Sequence, residues 1–108
     1  MDRRPLRVQK LVREELSKII LRELEFGEVL VTITEVAVDK KLEMAKVGVS
    51  VMPIGAAAKV LKTLGDSAPR LQYLLMKKIN IKPMPRIYFE LDRGPENAAA
   101  VEKALLEK

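Results

Sequence analysis

The chain has 108 residues, a formal net charge of +5 at pH 7, and neither cysteine nor histidine. This length predicts one domain over residues 1–108, and the missing residue types exclude disulfides, thiol nucleophiles and zinc sites of the Cys/His kind. The basic balance favours an anionic partner, and a reducing, cytoplasmic setting fits the composition.

The first predicted element is an amphipathic helix between residues 6 and 25, where apolar side chains recur every three or four positions. Arg3, Arg7 and Lys10 lie on the opposite side of the helical wheel, and Gly27 suits the left-handed position that ends a helix. The stripe that we expect to be buried comprises Val8, Leu11, Val12, Leu16, Ile19, Ile20 and Leu24.

Two strands are predicted next. Residues 29–38 are rich in Val, Ile and Thr, and residues 45–51 alternate apolar with small or polar side chains. The polar link at residues 39–43 is short, which favours an antiparallel hairpin. Because the alternation in the first strand changes phase after Ile33, we predict a bulge near residues 34–35.

A pair of helices is predicted at residues 56–64 and 71–79, with Pro69 between them. Proline cannot donate a hydrogen bond to the carbonyl of Gly65, and its ring crowds that carbonyl. One straight helix is therefore disfavoured by about 3 kcal/mol. We expect the chain to bend at residues 65–68.

The remaining elements are a strand at residues 87–91 and a short C-terminal helix at residues 98–106. The resulting order is αββααβ, an arrangement that belongs to the α+β class. It predicts a single type II KH-like domain, with a three-stranded sheet and helices packed on one face.

Three stretches of the sequence carry a family resemblance. The first helix opens with RVQKLVREEL at residues 7–16, the paired strands read VTITEV at 31–36 and LEMAKVGVSV at 42–51, and the last strand reads PRIYFELD at 85–92. Together they resemble the ribosome-binding factor A (RbfA) family over nearly the whole chain.

Three positions depart from that family pattern. The family commonly bends its helix pair with Ala-x-Gly, where this chain has residues 67–69, Ser-Ala-Pro. Lys41 replaces the usual aspartate before the hairpin leucine, and Gly48 replaces an aromatic residue often found in the second strand. The core pattern is kept.

The resemblance implies a bacterial ribosome assembly factor that acts by binding and is not an enzyme. Such a protein would bind the late precursor of the small (30S) ribosomal subunit in its neck region and assist maturation and processing of small-subunit (16S) rRNA. Its partners would be that subunit and its rRNA. We expect a monomer with no cofactor, metal, membrane or small-molecule substrate.

Basic residues gather in one stretch, since residues 59–86 hold seven of them and a single acid, Asp66. Such an excess costs self-repulsion and is commonly kept for a polyanion. With the basic residues of the first helix, it predicts an RNA-binding surface. The candidate residues are Arg3, Arg4, Arg7, Lys10, Lys59, Lys62, Arg70, Tyr73, Lys77, Lys78, Lys82 and Arg86.

Two other functions fit the same pattern. A KH-like domain unrelated to ribosomes would bind single-stranded RNA or DNA, but GAAA at residues 55–58 and GDSA at 65–68 each lack the second glycine of the KH phosphate-clamping loop. A protein-interaction module of the same fold would bind with a shallow salt dependence. No apolar run approaches the ~18 residues of a membrane helix and no signal-peptide pattern opens the chain, so we expect a soluble protein.

Overall fold

Two long helices and a three-stranded sheet make up most of the computed structural model, which describes residues 4–82 and 84–92. The predicted α+β class, with helices packed on one face of the sheet, is confirmed. The C-terminal helix predicted at residues 98–106 lies outside the described residues. The elements are α1 (Arg4–Glu23), β1 (Leu30–Val38), β2 (Met44–Met52), a 3-10 turn (Ile54–Ala56), α2 (Ala57–Lys78) and β3 (Arg86–Leu91).

The sheet has the order β1-β2-β3. β1 and β2 form the predicted antiparallel hairpin, and β3 lies parallel to β2 on its other side. The register shifts between Ile33 and Glu35, which confirms the predicted bulge and leaves Thr34 as the extra residue. Because the bulge changes the phase of the strand, Val36 and Val38 are buried on the same side as Ile33.

Asp39 closes the turn between β1 and β2. Its Oδ1 accepts hydrogen bonds from the backbone N–H groups of Glu43 at 2.7 Å and Met44 at 3.1 Å. Leu42 has a left-handed φ of 59°, which is rare for leucine, yet its side chain is only 4% exposed. Burial of this side chain offsets the backbone strain. The carboxylate of Asp39 thus stabilises the turn of this hairpin, in which Lys41 immediately precedes Leu42.

The hydrophobic core lies between the sheet and the helices. α1 packs mainly against β1, α2 packs mainly against β3, and the two helices contact each other. Most of the predicted stripe of α1 is fully buried, but Leu11 is 41% exposed, because the covered part of this helix is narrower than its apolar stripe. No helix within the described residues is long and apolar enough to cross a membrane.

α2 continues through Pro69 without interruption. The sequence predicts a helix pair with a bend at residues 65–68, and the structure joins the two segments into one helix that is continuous across these residues. Leu64, Leu71 and Leu75, on both sides of the proline, are fully buried. Burying one leucine contributes about 1.5–3 kcal/mol, so three of them outweigh the penalty of one proline inside a helix.

Pro69→Ala is expected to raise the free energy of unfolding by about 1–3 kcal/mol. Alanine restores the N–H donor to the carbonyl of Gly65, and Pro69 is exposed, so little packing is lost. Urea unfolding followed by circular dichroism measures the change. Gly65→Ala serves as a comparison, because a Cβ there meets nothing within 4 Å. A gain from Pro69→Ala below that of Gly65→Ala would contradict a proline penalty inside this helix.

One glutamine from each helix forms a hydrogen bond with the neighbouring edge strand of the sheet. Oε1 of Gln9, on α1, accepts a hydrogen bond from the backbone N–H of Val38 in β1 at 3.1 Å. Oε1 of Gln72, on α2, accepts one from the backbone N–H of Ile87 in β3 at 3.2 Å. Each bond satisfies a strand N–H that the sheet does not pair and ties a helix to its edge strand.

Gly48, in the middle of β2, leaves room for a polar bridge across the sheet. The hydroxyl of Thr34 donates a hydrogen bond to Oδ2 of Asp92 at 2.6 Å. A Cβ at position 48 would lie 3.2 Å from Oγ1 of Thr34, closer than an ordinary van der Waals contact. An aromatic side chain there would displace this bridge, which gives a physical reason for glycine at this position.

Candidate nucleic-acid interface

Positive charge is concentrated on the helical layer of the fold. α1 and α2 carry eleven basic and four acidic residues, whereas the three strands carry two of each. Because the helices cover one face of the sheet, one broad surface is basic and the opposite surface is close to neutral. An anionic partner is therefore favoured on the helical side.

The candidate cations of α2 lie on its solvent side. Lys59, Arg70 and Lys77 are spaced so that a helix of about 3.6 residues per turn brings them onto one face. All three are exposed, and they lie opposite the buried Leu64 and Leu71. The helix therefore packs with one side and presents a row of basic side chains with the other.

Two of the candidate cations form intramolecular ion pairs. Nζ of Lys62 lies 3.0 Å from Oδ2 of Asp66, one turn later on α2. Nη2 of Arg70 lies 2.8 Å from Oε1 of Glu23, the last residue of α1. A phosphate would compete with these carboxylates, so both cations bind an anion less freely than the sequence predicts.

The other three basic side chains of α2 have no carboxylate partner within the described residues. Lys59 and Lys78 are exposed, and Nζ of Lys77 lies 5.3 Å from the centre of the Tyr73 ring, a cation–π distance. This contact holds Lys77 without neutralising its charge. The three lysines are thus available to phosphate groups.

A cleft of about 240 Å³ separates the outer surfaces of α1 and α2. Lys77 and Lys78 line it from α2, and Lys18 and Arg22 line it from α1. The sequence prediction omits Lys18 and Arg22. The spacing from Arg7 to Lys18 on α1 is the same as the spacing from Lys59 to Arg70 on α2. The helical wheel therefore indicates that Lys18 lies on the basic face of α1.

Glu23 is bound by two guanidinium groups. Besides Arg70, Nε of Arg22 lies 3.1 Å from Oε2 of Glu23. The hydrogen bonds from Arg70, and then from Arg22, lower the pKa of Glu23 below its ordinary value. The carboxylate is therefore fully ionised at neutral pH, and the contact is lost only as the pH falls through that lowered pKa.

A larger groove, of about 720 Å³, runs between α2 and β3. Two of the candidate residues, Tyr73 and Arg86, line this groove, together with Pro69, Met76 and Tyr88. Tyr73 lies on the groove side of the basic row of α2 and is 54% exposed. The structure thus divides the candidate residues between the helical face and this adjoining groove.

The remaining candidate residues lie away from the cleft and the groove or outside the described residues. Arg7 and Lys10 are exposed on α1, Arg4 begins that helix, and Lys82 is exposed in the link before β3. Arg3 lies outside the described residues.

The helical surface offers cations suited to phosphate, as point charges from lysine and as planar donors from arginine. No group of three or more acidic side chains that could hold a metal ion occurs in residues 4–82 and 84–92. Within these residues the helical surface therefore presents exposed cations and no such acidic cluster.

The sequence is similar to a family of known proteins. The family model of ribosome-binding factor A matches residues 4–105. A ribosome-binding factor A of Opitutus terrae is 34% identical over 108 residues, which cover 97% of this chain and 87% of that protein. A relative of the same name from Pseudomonas aeruginosa is 34% identical over 112 residues, which cover 96% of this chain and 87% of that protein.

Solved structures of similar fold come from Thermus thermophilus. The crystal structure of its ribosome-binding factor A superposes with a TM-score of 0.68 at 22% identity, covering 81% of this chain and 94% of that one. A homology model of that factor, fitted into a cryo-EM map of its complex with the 30S subunit, gives a TM-score of 0.64 at 21% identity over 76% and 88% of the two chains. At these identities the likeness concerns the fold alone.

Proposed function

Because the chain belongs to the ribosome-binding factor A family, we propose that it binds the small ribosomal subunit and assists its assembly. It acts on the late precursor of the 30S subunit, in the neck region, and promotes maturation and processing of 16S rRNA. It works in the cytoplasm as a single-domain monomer, through binding and without catalysis.

The observation that carries this proposal is the uneven distribution of charge. The helices hold eleven basic and four acidic residues, and the strands are balanced. Ribosomal RNA presents a dense array of phosphates, and a broad basic surface gains affinity from it by releasing counterions. A neutral partner would gain nothing from this surface.

The comparisons support the choice of target. The Thermus thermophilus ribosome-binding factor A of similar fold was fitted into a map of its complex with the 30S subunit. A chain with the same fold and a basic helical layer fits a target of the same kind. The neck region and the role in RNA processing follow from the family resemblance.

The purified protein is expected to bind free small subunits and their precursors, and to bind assembled ribosomes at least about tenfold more weakly. A late assembly factor has to leave before translation begins, so its site should be closed in the mature ribosome. Density-gradient sedimentation of the protein with each particle measures the difference. Depletion in cells should also slow growth most in the cold and raise the amount of unprocessed small-subunit RNA.

Equal binding to isolated small subunits and to total cellular RNA, with normal RNA processing after depletion, would contradict this function. A KH-like nucleic-acid binder without a role in ribosomes would then explain the basic surface. Binding that hardly changes with salt would instead favour a protein-interaction module.

A further inference from the structure

Two arginines from different helices hold one carboxylate, and one of them, Arg22, also lines the cleft between α1 and α2. Nε of Arg22 lies 3.1 Å from Oε2 of Glu23, and Nη2 of Arg70 lies 2.8 Å from Oε1 of Glu23. The arginine side chains are 63% and 72% exposed, whereas Glu23 is 19% exposed. The guanidinium groups are therefore open to a second anion, while the carboxylate lies recessed between them.

Further cations lie in the same cleft. Lys77 and Lys78 line it from α2, and Lys18 lines it from α1. Glu15 is the single acid in its described lining, and it is paired with Lys18 at 3.4 Å. The positive charge thus extends along both helices, over a longer distance than a single free phosphate ion can span.

We propose that this cleft, together with the neighbouring Arg70, is a binding site for the RNA backbone, in which Arg22 and Arg70 exchange Glu23 for a phosphodiester group. Lys77 and Lys78 hold a neighbouring phosphate of the same strand. The inference rests on the proposed function and adds Glu23 as the group that sets how tightly the cleft binds.

The exchange is physically feasible because the ion pairs are exposed. Water and salt screen a surface ion pair, so each arginine gains little from the carboxylate. A planar guanidinium forms paired hydrogen bonds with phosphate as well as with carboxylate. RNA also brings several phosphates at once, so the added contacts with Lys77 and Lys78 favour the phosphodiester over Glu23.

Glu23→Gln should tighten binding of a single-stranded RNA of about 20 nucleotides by about three- to tenfold at roughly 0.1 M salt, because both arginines are freed. Glu14→Gln is the matched control, since Glu14 is exposed on α1 and has no ion pair within the described residues. It changes the net charge equally and should alter affinity by less than about twofold. Fluorescence anisotropy of labelled RNA measures both, and thermal unfolding shows whether each variant is folded.

A second pair of variants tests the site without removing Glu23. Arg22→Gln should weaken RNA binding by at least about fivefold, whereas Arg13→Gln, on another part of α1, should weaken it by less than about twofold. Equal effects within either matched pair would overturn the proposal, as would weaker binding by Glu23→Gln. If Glu23→Gln does not fold, the arginine pair decides.

These measurements separate the inference from the function on which it rests. Wild-type protein that binds the RNA but not small subunits would contradict the ribosomal role and leave the cleft as an RNA site. Protein that binds small subunits, with Glu23→Gln no different from Glu14→Gln, would overturn the inference alone.

Discussion

Replacing Lys59, Lys77 and Lys78 with glutamine is expected to weaken binding to small-subunit RNA by about 10²–10³-fold at 0.1 M salt. Each lysine that contacts a phosphate releases counterions from the RNA. Losing three contacts should also flatten the dependence of log affinity on log salt by about 2 to 3. Filter binding at several salt concentrations measures both effects.

This triple substitution is not expected to lower the stability of the fold. The three lysines are exposed on α2 and have no carboxylate partner within the described residues, and glutamine has nearly the helix propensity of lysine. Lys40, Lys41 and Lys46, in the hairpin turn and on β2, provide a matched control, since their replacement by glutamine removes the same charge from the sheet side. We expect this control to weaken binding by less than about fivefold. Equal losses in the two triple variants would show that the helical layer is not the interface.

Leu16→Ala is expected to lower the free energy of unfolding by about 2–5 kcal/mol, because the side chain is 0% exposed and its removal leaves a cavity under α1. For a domain of this size, a loss of that order lowers the melting temperature by about 10–30 °C. Since small domains have about 5–15 kcal/mol of stability in total, a large part of it depends on this one contact. Thermal and urea unfolding measure the change.

Leu21→Ala is the control on the same helix, because Leu21 is 80% exposed. Its replacement should change the free energy of unfolding by less than about 0.5 kcal/mol. A comparable loss in both variants would mean that the outer face of α1 is covered in the folded protein, which contradicts the exposed position of its basic residues.

The features of helices and strands that depend on the local spacing of apolar residues were predictable from the sequence. The apolar period of α1 identifies Leu16 as buried, and the change of phase after Ile33 locates the bulge in β1. The same pattern cannot show how much of a stripe is covered, which is why Leu11 is more exposed than predicted. The helix propensity of a single residue also cannot predict whether α2 is continuous, because the leucines around Pro69 determine that the helix continues.

The candidate site was predicted only in part. The basic residues of α2 are evident in the sequence, since they gather within one stretch. The partnership of Arg70 with Glu23 joins residues 47 positions apart and depends on how α1 lies across α2. The same packing brings Lys18 and Arg22 to the cleft. The helical wheel can place Lys18 on the basic face of α1, but it cannot show that α2 lies beside that face.

The glutamines at the two edges of the sheet also bear on how the protein behaves at high concentration. An edge strand with free N–H groups can pair with a strand of another copy and start aggregation. Here the side chains of Gln9 and Gln72 already accept a hydrogen bond from one N–H on each outer strand. The two helices that carry the basic surface thus also satisfy one N–H on each outer strand, which leaves fewer groups there for pairing with a strand of another copy.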